Sequence, residues 1–197
     1  VPIRQTPEVI GDVSSALEKD TLLIDIASVK EQPVKKMKSI DTGAEMASLH
    51  PLFGPGADSP KGKNIISIPV KTREKYDKFK ELLRIEGANF EEMEAEEHDR
   101  IMAVIQGLTH FTLMAYTSAF NSMKYSEKAL NFMTPMSNKL LELTKAFLKE
   151  NPEICGDIQT ENKYSSTARS SLLEACRKLN IALKDQNTKF LTELFEE

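Results

Sequence analysis

The pattern of hydrophobic and polar positions changes near residue 93, and this change divides the chain into two parts. Before it, short apolar runs at residues 21–26, 44–49 and 64–70 alternate with amphipathic stretches. Nearly continuous runs of this length are typical of strands buried on both faces of a parallel sheet. Strands that alternate with helices in this way predict a mostly parallel α/β sheet.

Local signals place the helices between these runs. Thr6 followed by Pro7 is a common helix start, with Thr6 as the N-cap, and it predicts a helix over residues 7–19. A second amphipathic stretch predicts a helix over residues 73–85 that ends before Gly87, a residue type favoured just past a helix end.

The second part of the chain is helical in its periodicity throughout, and only Pro135 and Pro152 interrupt it. We therefore predict an α/β domain over residues 1–93 and an all-helical domain over residues 94–197. The helical part opens on a segment in which four residues recur at a spacing of four, which predicts that they share one stripe of a single helix: His98, Met102, Gln106 and His110. Periodicity alone fits either a core helix with satisfied polar residues or a binding site.

The composition, 40% hydrophobic and 28% charged, is that of an ordinary globular protein. A net charge of −4 argues against a surface that binds nucleic acid, because phosphates require clustered Lys and Arg. No apolar run is long enough to span a bilayer. Cys155 and Cys176 lie far from any metal-ligand spacing, as expected of reduced thiols. We expect a cytoplasmic protein with neither a nucleic-acid nor a membrane partner.

Several chemical motifs are missing from the sequence. The three histidines match no zinc spacing, so no metal site is expected, and no GxSxG nucleophile elbow is present. The eight glycines nowhere form GxGxxG, so this stretch carries no dinucleotide pyrophosphate site of the usual kind. The chain opens on Val1, Pro2 and Ile3, which look like the end of a strand, and we expect it to be a fragment.

Candidate chemistry lies at the predicted strand ends. In open α/β sheets, ligands bind outside the carboxyl ends of the strands. Ser28 and Lys30 follow one predicted strand and His50 follows the next. An imidazole titrates near neutral pH and suits general-base work on a hydroxyl, and Ser28 is placed to orient it. The alternatives are a loop histidine that caps a backbone carbonyl and a serine that caps the next helix.

Four segments together resemble the prephenate dehydrogenase family in their order and spacing. They are DIASVK at residues 25–30, LHPLFGP at 49–55, EHDRIM at 97–102 and QGLTHF at 106–111. The resemblance extends to the C-terminal helices and is closest to the archaeal and enterobacterial types. It implies the C-terminal part of a Rossmann domain, followed by a helical dimerisation domain of the 6-phosphogluconate dehydrogenase C-terminal type. The chain would then begin just before the fourth Rossmann strand.

The resemblance also implies an activity in tyrosine biosynthesis. The family oxidises the ring hydroxyl of prephenate by hydride transfer to NAD or NADP, and loss of CO2 then gives 4-hydroxyphenylpyruvate. His50 would accept the hydroxyl proton, and Ser28 would hydrogen-bond the same hydroxyl. Without the glycine-rich motif, this stretch alone is expected to be inactive.

Further site residues are implied by the same resemblance. His110 and Gln106 would line the substrate pocket in the crevice between the two parts, and Pro2 and Ile3 would flank the nicotinamide. His98 is expected to be a structural residue at the acidic start of its helix.

The sequence departs from the family pattern at one position. An arginine that the family directs at a substrate carboxylate is replaced by Ala146, with Lys145 beside it. A lysine supplies charge but not a bidentate fork. This leaves open a relative that oxidises another hydroxy acid, or a non-catalytic dimerising or ligand-sensing relative. The choice between NAD and NADP, and between prephenate and arogenate, also stays open.

Apolar stripes on the helical part predict a homodimer.

Overall fold

The computed structural model describes residues 1–54, 56–186 and 188–196. It contains two compact units. One consists of Val1–Met102 with Asn151–Lys163, and the other of Ala103–Glu150 with Tyr164–Glu197. The predicted division into domains near residue 93 stays a prediction. The two units are groups of residues that pack together, and each contains two separate stretches of the chain.

The first unit is built on a four-stranded sheet in the order β1-β2-β3-β4. The strands are β1 (Leu22–Asp25), β2 (Glu45–Pro51), β3 (Asn64–Lys71) and β4 (Asn89–Glu92). β1 pairs with β2 and β3 with β4 in parallel, which confirms the mostly parallel sheet, whereas β2 and β3 are antiparallel. A parallel crossover usually contains a helix, and the described residues between β2 and β3 form none.

The α-helices follow one another along the chain with short connections. They are α1 (Thr6–Ser14), α2 (Glu31–Ser39), α3 (Glu74–Ile85), α4 (Ala95–Met102), α5 (Thr109–Ser122), α6 (Ser126–Ala129), α7 (Pro135–Phe147), α8 (Pro152–Glu161), α9 (Ser165–Lys184) and α10 (Thr188–Glu196). Short 3₁₀ turns lie at Ile3–Gln5 and Leu130–Phe132.

The start of α1 differs from the sequence prediction. The 3₁₀ turn places Gln5 in a helical conformation, so Gln5 and not Thr6 precedes the helix. Thr6 is the first helical residue, and its hydroxyl donates to the carbonyl of Pro2 over 3.2 Å. The helix ends at Ser14 and not at residue 19, and the Ser14 hydroxyl donates to the Gly11 carbonyl within the last turn.

The central strand β2 is buried on both faces. Met46 packs with Ile10 of α1 and Met37 of α2. The next residue, Ala47, belongs to a cluster with Tyr76 of α3, on the opposite face. Successive side chains of a strand point to opposite faces, so a strand covered by helices on both sides carries apolar residues on both of its faces.

In the second unit, residues Ala103–Leu108 form a π-helical segment before α5. The prediction of one continuous α-helix is therefore wrong here, because i→i+5 hydrogen bonds displace residues from the four-residue stripe. Within this segment Gly107 packs closely on α9. A Cβ atom at Gly107 would lie 2.9 Å from Oγ of Ser165, which is fully buried.

We expect Gly107→Ala to destabilise the protein by about 1–3 kcal/mol, because the added methyl group overpacks a contact that cannot easily yield. The matched control is Gly156→Ala in α8, where a Cβ atom meets nothing within 4 Å. Alanine there should be neutral or stabilising by up to about 1 kcal/mol, since it favours the helix. Urea denaturation of both variants measures the difference, and equal stabilities would contradict the proposed close contact.

Candidate functional site

The site begins at the edge of the sheet where the parallel strands β1 and β2 end. Asp25, the last residue of β1, is aligned with Ser48 of β2. His50 lies two residues further along β2, on the same face as Ser48. Because β2 extends through Pro51, His50 belongs to the strand and not to the loop after it. Its side chain is only 3% exposed.

His50 is connected to a second histidine and through it to a carboxylate. The Nδ1 atom of His50 lies 2.8 Å from Nε2 of His98. The Nδ1 atom of His98 lies 2.8 Å from Oδ1 of Asp99. His98 and Asp99 are neighbours in α4, and both are almost completely buried. These three residues, which we call the His50–His98–Asp99 chain, form an unbroken series of side-chain contacts.

The Asp99 end of this chain is held by the backbone of α2. The backbone N–H groups of Lys30 and Glu31 donate to Oδ1 and Oδ2 of Asp99 over 2.8 and 2.9 Å. Asp99 thus caps the N-terminus of α2, where a negative charge is favoured. In addition, the side-chain amide of Asn162 donates to the Asp99 carbonyl over 2.7 Å.

A buried ion pair lies beside the His50–His98–Asp99 chain. The Lys30 ammonium, which is not exposed, donates to Oδ2 of Asp25 over 2.8 Å. The same oxygen accepts the Ser48 hydroxyl, and Oδ1 accepts the backbone N–H of Ala27. Burial lowers the pKa of Lys30, although the neighbouring carboxylates of Asp25 and Asp99 oppose this effect. The ammonium of Lys30 thus binds Asp25, and its candidate role at the strand end stays a prediction.

The surroundings keep His50 neutral. Burial lowers the pKa of His50 to about 3, and the neighbouring His98 and the positive charge of Lys30 act in the same direction. A neutral imidazole has one protonated and one unprotonated nitrogen, so near neutral pH His50 is able to accept a proton. This is the protonation state that a general base requires.

Ser28 and Ile3 lie together in a hollow of the first unit, while His50 does not line it. The hollow has a volume of about 430 Å³ and mostly apolar walls, which include Ile24, Ile26 and Ala27. Pro2 is partly buried next to it and accepts the Thr6 hydroxyl. Ser28 does not cap α2, which Lys30 precedes. Among the described residues, no hydrogen bond joins Ser28 to His50, whose orienting partner is His98.

Three further predicted site residues lie in the second unit. Oε1 of Gln106 and Nδ1 of His110 are buried side-chain atoms without a hydrogen-bond partner among the described residues. The His110 ring lies 5.2 Å from the ring of Phe147 in α7. Lys145 lies in the same helix and is exposed. Burial lowers the pKa of His110, and Glu150 opposes this effect.

Sequence reasoning missed the part played by His98 and Asp99. The expectation that His98 is a structural junction residue did not anticipate its contact with His50, which is 48 residues away in sequence. The signal was present as an adjacent His-Asp pair at the start of a helix. Two buried polar side chains there require partners from elsewhere in the fold.

Comparisons with known proteins agree with this fold. The nucleotide-binding domain of prephenate dehydrogenase matches residues 1–90, and the dimerization domain of prephenate dehydrogenase matches residues 94–197. A probable arogenate/prephenate dehydrogenase of Methanocaldococcus jannaschii is 28% identical over 100% of this chain and 45% of the relative. The T-protein of Enterobacter agglomerans is 31% identical over 80% of the chain and 42% of the relative.

Solved structures share the fold. Prephenate dehydrogenase from Aquifex aeolicus, in complex with hydroxyphenyl propionate and NAD+, has a TM-score of 0.80 at 22% identity. That likeness covers 100% of this chain and 71% of the Aquifex chain. Synechocystis arogenate dehydrogenase has a TM-score of 0.73 at 18% identity and covers 100% and 73% of the two chains.

The four-stranded, mostly parallel sheet and the helices after it define an α/β fold followed by a helical part. The matches to both domain models identify it further: the chain belongs to the prephenate dehydrogenase family. The chain spans about half the length of the first curated relatives that it matches. Among the described residues, no helix is long and apolar enough to cross a membrane.

The pKa of His50 predicts how stability depends on pH. The folded value of about 3 lies below the ordinary value of 6.5, so unfolding in acid takes up a proton. The contribution of His50 to the free energy of unfolding is complete above about pH 6.5 and is lost as the pH falls towards 3. At about pH 5 we expect a loss of about 2 kcal/mol relative to pH 7 from this group.

Urea denaturation at the two pH values measures this loss. His50→Gln has no ring to titrate and should lose correspondingly less stability between them. Identical losses in the wild-type protein and the variant would show that His50 is not held neutral by the fold.

Proposed function

We propose that the protein containing this chain is an NAD(P)-dependent dehydrogenase that converts prephenate to 4-hydroxyphenylpyruvate in tyrosine biosynthesis. The observation that carries the proposal is the His50–His98–Asp99 chain, which holds a neutral imidazole at the carboxyl edge of a nucleotide-binding sheet. Membership of the family and the names of its dehydrogenase relatives supply the reaction class.

His50 acts as the general base in the proposed reaction. Its Nδ1 atom is engaged with His98, so Nε2 is the ring nitrogen available to the substrate. Nε2 takes the proton of the ring hydroxyl while the carbon that bears this hydroxyl loses a hydride, and the C–O bond becomes a carbonyl. The ring carboxylate then leaves as CO2, its bonding electrons make the ring aromatic, and the oxygen regains a proton. Ser28 is proposed to donate a hydrogen bond to the same oxygen.

The residues present fit one end of a dinucleotide. The hollow that contains Ile3 and Ser28 has apolar walls, which suit a flat nicotinamide ring, and we propose that Pro2 and Ile3 flank this ring. NAD or NADP supplies the hydride acceptor when it is bound. The Aquifex relative was solved with NAD+. Because no GxGxxG occurs in this sequence, the pyrophosphate is not assigned to residues of this chain.

Gln106 and His110 are proposed to bind the polar groups of the substrate. Each has a buried atom without a hydrogen-bond partner in the described part of the chain, as expected for groups that bind a ligand. Lys145 is proposed as a source of positive charge for a carboxylate. The alanine at position 146 supports a second candidate, a relative that oxidises a different hydroxy acid, since it lacks the fork for a carboxylate.

We also propose a cytoplasmic homodimer assembled through the helical part. Support comes from the match to a dimerization domain and from large apolar side chains that are exposed in the second unit, such as Phe132 and Met136. Cys155 and Cys176 are not disulfide-bonded, as is usual in a reducing compartment.

Steady-state assays of the full-length protein test the proposed reaction. Prephenate should give NAD(P)H, and His50→Gln should lower kcat by about 10²–10⁴-fold, because it removes a general base. The matched control is Glu74→Gln, an exposed residue of α3 that should leave the rate unchanged. No turnover of prephenate, with turnover of arogenate or another hydroxy acid, would replace the substrate and keep the reaction class. No turnover of any of these would contradict the proposed function.

Sedimentation tests the proposed dimer. The protein should sediment as a dimer at micromolar concentration, and Phe132→Asp with Met136→Asp should shift it towards monomer, since both variants place charges on exposed apolar surface. The matched control is Leu82→Asp, which places a charge on exposed apolar surface of the first unit. This variant should remain dimeric. A monomeric wild-type protein would overturn the proposal.

A further inference from the structure

We infer that His98 and Asp99 are positioning residues that fix the tautomer of His50, with the proton on Nδ1 and a free lone pair on Nε2. The inference rests on the proposed function only for its kinetic consequence. The positions of the protons themselves follow from contacts within the first unit.

The direction of the hydrogen bonds is set at the Asp99 end of the chain. Backbone N–H groups can only donate, and those of Lys30 and Glu31 meet the two oxygens of Asp99. Both oxygens therefore act as acceptors, as expected of a carboxylate at the N-terminus of a helix. The third neighbour of this carboxylate is Nδ1 of His98, which lies 2.8 Å from Oδ1 and must therefore donate to it.

The same direction continues through the two imidazoles. With its proton on Nδ1, a neutral His98 presents the lone pair of Nε2. The ring nitrogen that faces this lone pair over 2.8 Å is Nδ1 of His50, which must therefore donate. The remaining nitrogen of a neutral His50, Nε2, then has no proton. A single carboxylate thus determines the proton position on a ring two residues along the hydrogen-bond series.

The charges around His50 support this arrangement. The buried Lys30 ammonium and His98 both disfavour a proton on His50, and burial lowers its pKa to about 3. In the opposite arrangement, Nε2 of His98 donates to Nδ1 of His50. This arrangement needs protons on both nitrogens of His98, and it places the proton of a neutral His50 on Nε2. In that state His50 offers the substrate hydroxyl a donor where the proposed reaction needs an acceptor.

Proton transfer in the proposed reaction leaves the series intact. The O–H bond of the substrate breaks, and an N–H bond forms at Nε2 of His50. The His50 imidazolium keeps its proton on Nδ1 and still donates it to Nε2 of His98. The Asp99 carboxylate at the end of the series favours the new positive charge. Return of the same proton to the product oxygen restores the starting tautomer.

NMR of the imidazole nitrogens tests the proton positions without turnover. In ¹⁵N-histidine-labelled full-length protein near pH 7, the Nε2 signal of His50 should be that of an unprotonated nitrogen and its Nδ1 signal that of a protonated one. His50→Gln identifies the signals, since it removes them. A protonated Nε2 in the wild-type protein overturns the inference, whatever the substrate.

Variants of His98 test the kinetic consequence. His98→Leu has no acceptor for Nδ1 of His50, yet both Asp99 oxygens keep their backbone donors, so α2 stays capped. We expect kcat to fall about 10–100-fold, a typical cost of removing an orienting partner, with KM changed less than about threefold. His98→Gln offers an amide oxygen as acceptor and should recover most of kcat.

The outcomes separate the inference from the proposed function. An unprotonated Nε2 in a protein that does not oxidise prephenate supports the tautomer and contradicts the substrate. Turnover of prephenate with equal losses of kcat in His98→Leu and His98→Gln contradicts the positioning role and keeps the reaction. Parallel losses of kcat and of thermal stability in His98→Leu alone would assign His98 a purely structural role, which also overturns the inference.

Discussion

The carboxylate of Asp99 is the group on which the rest of the site depends. It caps α2 through two backbone N–H groups and holds His98 against His50. A buried carboxylate is costly unless hydrogen bonds satisfy it, and three donors do so here. The backbone carbonyl of the same residue accepts the Asn162 amide, which connects the segment after α8 to α4. One residue therefore aligns a helix end, a catalytic candidate and a distant segment of the chain.

The surroundings of His50 combine two buried polar systems that differ in charge. The His50–His98–Asp99 chain ends in a negative group, while Lys30 and Asp25 form an ion pair that Ser48 completes. The two systems meet in Lys30, whose backbone N–H binds Asp99 and whose ammonium binds Asp25. A buried ion pair is retained only with well-placed partners, because desolvation opposes it. Together they keep an imidazole neutral inside a polar interior, which fits proton transfer from a hydroxyl.

The sequence by itself determined the architecture and the candidate base. Apolar runs at residues 21–26, 44–49 and 64–70 predicted strands within a few residues of their observed bounds, because a strand covered on both faces must be apolar at successive positions. Gly87 has a φ of +89°, as its predicted place after a helix requires. The resemblance of local motifs such as EHDRIM indicated the family, which both domain matches show. Each of these features depends on a few neighbouring residues, so the local sequence is enough to predict it.

Only the tertiary structure decided which polar side chains meet. His50 and His98 are far apart in sequence, and their contact depends on how β2, α2 and α4 pack within the first unit. Periodicity placed His98 on a helical stripe with His110, but the π-helical segment Ala103–Leu108 interrupts that stripe. The antiparallel pairing of β2 and β3 was equally invisible to local patterns. Hydrogen-bond partners and strand directions are set by the whole chain, because buried polar groups take whichever donors the packing brings within reach.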